Sequence, residues 1–202
     1  MTFFPPDPDV PEPQERESSQ PRWWAAPEDE MPALFPASEI LATTDHVAVA
    51  LMGAAIYRDG IEFRLERRLR RNGLPGPEWN KLCGAFMEHH PWGDPMDPAG
   101  RLRFGLVLGD GERVFADQSR FFGDGDPMAE PTHHTLNRRG GGGGGDGNSY
   151  SGSDGLWLWP APPAGPIELV MQWPAFNIDE RRVILDGNGM LELVPLARRF
   201  WS

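Results

Sequence analysis

The run Gly140–Gly145, with Arg138 and Arg139 before it and Asp146 after it, is the stretch whose residue types could most directly bind something. Successive backbone N–H groups in a glycine-rich segment can form a concavity for phosphate or another anion, and the two arginines would add positive charge. A phosphate loop of the familiar kind, however, needs Gly-Lys-Ser/Thr opening a helix. Here Asp146 follows, lysine is absent nearby, and the pattern predicts no helix after it. Glycine gives up more backbone freedom on ordering than any other residue. The run therefore reads as loop, inside a long Gly-rich loop over residues 119–154. It is either a plain spacer or a backbone surface for a ligand, with Gly142 and Gly144 at its centre. Just beyond it, Trp157 and Trp159 alternate with Leu156 and Leu158, so the two tryptophans share one face of a strand. Aromatic residues exposed beside such a loop suit a peptide, carbohydrate or subunit. The alternative is cover from elsewhere in the chain. The candidate binding set is thus Arg138, Arg139, Gly142, Gly144, Asp146, Trp157 and Trp159.

Other chemistry is thinner. The histidines come as His89-His90 and His133-His134, with His46 alone. Adjacent side chains on a strand point to opposite faces, so neither pair offers two ligands to one metal. One from each pair, with Asp94, Asp97 or Asp126, is the weak metal candidate; the His-Glu-x-x-His spacing is missing. Cys83 stands alone among Leu82 and Phe86 and reads as a buried side chain rather than a nucleophile. Asp124-Gly125-Asp126 lacks the register and terminal glutamate of a calcium loop. Ser149, Ser151 and Ser153 lie outside any Gly-x-Ser-x-Gly elbow. No cofactor is predicted.

The elements that would position these residues are strands. Of 202 residues, 24 are Gly and 22 Pro, with an apolar fraction of 39%, which argues for many short strands and against a helical bundle. Residues 1–36 hold eight acidic against two basic residues and read as a disordered, acidic, Pro-rich tail. Trp23-Trp24 and Met31–Phe35 interrupt it as apolar islands, which either dock on the chain's own domain or bind a partner. The domain, 37–202, carries alternating segments at 38–43, 46–57, 61–71, 101–108, 112–118, 156–159, 167–173 and 181–185, with a weaker one at 82–88. Arg58-Asp59-Gly60 and Gly109-Asp110-Gly111 read as hairpin turns. Arg67 interrupts the alternation of its strand and suggests a bulge. Asn188 is placed to cap a short terminal helix. Seven to nine strands without intervening helices predict an all-β fold, a two-sheet antiparallel β-sandwich of Ig-like general architecture, with a closed barrel as the alternative.

Several of these motifs together resemble a group of uncharacterised actinobacterial proteins. They are Val47–Leu51, the Tyr57–Gly60–Phe63 turn, Arg103-Phe104-Gly105 leading to Asp110-Gly111, the glycine run, Leu156-Trp157-Leu158-Trp159-Pro160, Trp173-Pro174 and Phe200-Trp201. The resemblance covers roughly residues 40 to 201 and implies no activity. A net charge of −11 excludes the basic footprint of a nucleic-acid binder and disfavours anionic membranes. The N-terminus lacks a signal-peptide pattern and no stretch is long and apolar enough to span a bilayer, so a cytoplasmic location is expected. The sequence thus predicts a non-catalytic interaction module, with a protein partner, a small ligand or a second copy of itself. The alternative is a metal-dependent enzyme or metal-binding protein using loop histidines and aspartates.

Overall fold

The computed structural model describes residues 20–88, 98–116 and 129–201. Two antiparallel sheets face each other across one apolar core, as the alternation predicts. The larger sheet contains β2 (Ala33–Phe35), β3 (Glu39–Thr43), β4 (Val47–Ile56), β5 (Ile61–Arg70), β8 (Thr135–Gly145) and β9 (Ser149–Trp159). Its order is β2-β4-β5-β9-β8, with β3 pairing the other end of β4. The smaller sheet runs β11-β10-β6-β7, from β6 (Arg103–Val107), β7 (Arg113–Phe115), β10 (Ile167–Trp173) and β11 (Ile178–Leu185). A two-stranded ribbon joins β1 (Glu30–Met31) to β12 (Arg198–Arg199).

Period-two patterning explains the core. On β5, Ile61, Phe63, Leu65 and Leu69 are buried, while Arg64, Arg68 and Arg70 are exposed. They meet Leu156 and Leu158 of β9 and Leu106, Leu169 and Trp173 of the smaller sheet. At one side of the sandwich a parallel bridge between Ala116 and Leu136 brings β7 to β8. Both predicted hairpin turns form: Tyr57 N donates to Gly60 O at 2.9 Å, and Gly111 N to Leu108 O at 2.8 Å.

Five expectations need correction. First, Arg67 marks no bulge: β5 and β9 pair without a break from Ile61↔Leu158 to Arg70↔Ser149, so Arg67 points into the core. The bulge lies on β4, between Leu51 and Gly53. Second, the segment around 82–88 is helical. α1 (Gly76–Met87) places Trp79, Cys83 and Phe86 on one buried face, and its prolines occupy the cap and first turn, where a missing N–H costs nothing. Third, Asp186, not Asn188, caps the terminal helix α2 (Gly187–Leu191), accepting from Gly189 N at 3.0 Å. Fourth, residues within the acidic segment belong to the fold: Ala33–Phe35 pair with Ala54–Ile56, so the domain boundary at 36 falls too late. Fifth, the glycine run is no loop. It is the second half of β8, paired with β9 through Gly143↔Gly152, Gly144↔Ser151 and Gly145↔Tyr150.

Candidate functional site

The β8–β9 hairpin carries every residue of the predicted binding set, but it distributes them among four environments. At its tip Asp146 closes the turn. Asp146 Oδ1 accepts from Asn148 N at 2.7 Å and Ser149 N at 2.8 Å. These backbone donors, Asn148 foremost, hold its carboxyl below the usual carboxylate range. Its charge is thus directed at the turn.

The outer edge follows. β8 pairs with β9 on one side, and beyond the Ala116–Leu136 bridge no strand among the described residues pairs with its other side. Gly142–Gly145 and Arg139 are exposed. Gly142 has φ +96°, in the break of register between Gly140 and Gly143 that forms a bulge. A Cβ on Gly143 would lie 2.4 Å from Ser151 O, whereas Cβ atoms on Gly140 and Gly144 would meet open space. Some of the glycines are therefore imposed by backbone geometry, and Gly140 and Gly144 are not.

The inner face of the same hairpin holds Arg138, and here sequence reasoning missed a feature. Arg138 Nε lies 2.9 Å from Asp154 Oδ1, and Arg67 Nε lies 2.6 Å from Asp154 Oδ2. The second contact is close in distance but off the line of a hydrogen bond, so Asp154 Oδ2 is held by charge rather than by an aligned N–H. Arg138 also grips Glu88 at the end of α1 through two amines, at 2.6 and 3.2 Å. Asp154 is 3% exposed, so this is a buried network of two cations and two anions. Aromatic rings flank it. The Arg67 guanidinium stands 5.1 Å from the centre of Phe86 and 5.6 Å from that of Trp173, and Arg138 stands 5.6 Å from Phe104. Burial pulls the Arg67 pKa down, with Asp154 opposing; for Arg138 burial also pulls down, but Glu88 and Asp154 outweigh it and the pKa rises. Both guanidinium groups stay charged. The available signal was Arg67 itself, a charged residue on the inward phase of an otherwise apolar alternation.

Trp157 and Trp159 are covered in cis. Trp157 is 1% exposed, donates Nε1 to Arg22 O at 2.8 Å and meets Tyr57 edge-on at 5.4 Å. Trp23 leans on Trp159 at 5.9 Å, and its carbonyl accepts from Asn137 Nδ2. The first aromatic island thus docks on the domain, and these two tryptophans are not an open platform.

Of the metal candidates only His133 and His134 fall among the described residues. His89 and His90 lie outside the described residues, as do Asp94, Asp97 and Asp126. His134 Nδ1 sits 2.6 Å from Glu112 Oε2, and His133 is exposed. Among the described residues no group of three His, Cys, Asp or Glu could hold a metal. Cys83 is buried, and burial pushes its thiol pKa up, away from nucleophilic character. No helix among the described residues is long and apolar enough to cross a membrane. No known protein family, curated protein or solved structure matches the chain.

Proposed function

We propose that this chain is a non-catalytic, cytoplasmic interaction module that accepts an extended strand of a partner protein along the outer edge of β8. The observation that carries this reading is the edge itself: a run of exposed glycines whose outward backbone groups have no strand beside them among the described residues. Unpaired edge N–H and C=O groups are a template for another strand. Sheet proteins usually blunt such edges with lysine, proline or an inward charge, and residues 140–145 carry none of these. Glycine also leaves the backbone approachable from both faces. Strand addition of this kind draws affinity from main-chain hydrogen bonds. The aromatic pair first expected to share in binding instead anchors the hairpin that presents the edge.

Selection of extended peptides from a displayed library, followed by amide exchange on the complex, tests the reading. Gly140→Lys with Gly144→Lys places two charged side chains in open space, so the fold is retained while the edge is blocked. Selected peptides are expected to slow exchange within 140–145 and to lose at least about tenfold in affinity, or about 1.4 kcal/mol, to the double variant. Peptides that bind the double variant equally well, or a library that yields none, overturn it.

A further inference from the structure

The outer face of the larger sheet has an order that the strand-addition reading does not use. Across it runs one transverse row set by register: Thr43 on β3, Ala48 on β4, Arg68 on β5, Ser151 on β9 and Gly144 on β8. The next row sets Arg70 opposite Ser149. The neighbours of Arg68 in its row are all small, as is Ser149 beside Arg70, so the sheet surface dips around them. The result is an open hollow of about 510 Å³, lined by these residues with Thr44 and His46 at its end and Val47, Leu69 and Tyr150 in its floor and wall.

Its charge is the opposite of the chain's. The chain carries −11 overall, yet the lining holds two arginines and a histidine and no aspartate or glutamate. Two of the nearby carboxylates are already engaged, while that of Asp45 is exposed next to His46. Asp146 accepts from its own turn amides, and Glu66 takes Nη1 of Arg68. Arg70 uses Nε on the Asp45 carbonyl at 2.8 Å, which fixes the base of its side chain, and no acidic side chain among the described residues pairs with it. Arg68 is 59% exposed. Two guanidinium groups stand two residues apart on one strand, Arg68 sharing Nη1 with Glu66 and Arg70 keeping its terminal nitrogens clear of any acidic side chain among the described residues, and guanidinium is the group suited to a tetrahedral oxyanion. The hollow is larger than an ion.

From this we infer that the outer face of β5 is a binding site for a phosphate group, borne by a small phosphate monoester or present as free phosphate. Arg68 and Arg70 supply the charge and Thr43 a neutral donor; the Ser149 and Ser151 hydroxyls, which donate to Asp146 Oδ1 and Gly144 O in the free protein, would turn to the ligand on binding. The inference does not depend on strand addition at β8.

Titration of the full chain with inorganic phosphate, with glucose 6-phosphate, and with chloride at matched ionic strength, followed by amide NMR, tests it. The expected result is a saturable shift confined to residues 43–48, 68–70 and 149–151, with half-saturation at or below about 1 mM. A tighter fit for the ester identifies a monoester site, and equal affinity identifies the free ion. Arg68→Gln and Arg70→Gln should each weaken binding at least about tenfold. Arg182→Gln, an exposed arginine on the smaller sheet, should leave it unchanged. Should Arg70→Gln disturb the end of β5 through the lost Asp45 contact, Arg68→Gln decides alone. Shifts that stay linear to about 10 mM, that chloride reproduces, or that survive Arg68→Gln overturn the inference.

Discussion

Asp154 is the residue on which most depends. Among the described residues it is the only carboxylate paired with both Arg67 and Arg138, in a site flanked by Phe86, Phe104 and Trp173. Removing one member of a buried charge network leaves its partners uncompensated, which costs about 3–5 kcal/mol. Asp154→Ala should lower stability by that amount in urea denaturation, while Arg182→Ala, which breaks solvent-exposed pairs to Glu168 and Glu180, should leave the midpoint nearly unchanged. Equal effects from the two changes would show that the buried network is idle. Room for the network also comes from its neighbours: a Cβ on Gly152 would lie 3.3 Å from Arg67 Nη2. At this scale the sequence was partly legible. Arg67 stood out as a break in an alternating strand, but its partners come from β8, β9 and the end of α1, and no spacing rule links positions 67, 88, 138 and 154.

At the scale of elements, β8 shows how pairing overrides propensity. Six glycines make a poor strand alone, and that entropic argument favours a loop. In the fold, β9 supplies ten successive pairings to β5 and offers its other edge to whatever precedes the Asp146 turn. The Asp146-Gly147-Asn148 turn was the local clue, since a hairpin turn before a strand demands a strand on its other side. The glycines are not equivalent. Gly144→Ala should be neutral or stabilise by about 0.4–1 kcal/mol through the unfolded state. Gly142→Ala should destabilise by roughly 1–2 kcal/mol because of its positive φ, and Gly143→Ala should also destabilise, because its Cβ meets Ser151 O. Thermal melts of the three single variants check this order; a uniform response would mean that the run has no fixed register. The helix α1 was missed for a different reason. Pro75 and Pro77 argue against a helix when met in sequence, although the spacing of Trp79, Cys83 and Phe86 is helical and both prolines sit where helices tolerate them.

For the whole molecule, the acidic N-terminal segment is divided by function rather than by composition. Its proline and charge content made 1–36 look uniform, yet residues from 20 onward cap Trp157, lean on Trp159 and extend the larger sheet through β2. Aromatic side chains within a polar tract were the legible sign of this; strand pairing by Ala33–Phe35 was not, because three residues give too short a pattern to assign. Deleting residues 1–19 keeps every contact of the described fold and should leave the melting temperature within a few degrees. Deleting 1–36 uncovers Trp157 and Trp159 and removes an edge strand, so the melting temperature should fall by well over about 5 °C, with tryptophan emission shifting to the red. The sandwich class itself was readable from alternation alone, because that pattern depends only on which face each side chain takes.

The glycine run also bears on how the gene for this chain can change. A strand of identical, side-chain-free residues contains nothing to distinguish one position from the next, so its register is set from outside, by the Asp146 turn at one end and Leu136 and Arg138 at the other. Between those anchors lies a bulge that already accommodates one extra residue. A glycine codon lost there removes the bulge and one gained enlarges it, in either case without turning Arg138 away from Asp154. The run can therefore lengthen and shorten over generations while the rest of the sheet keeps its phase.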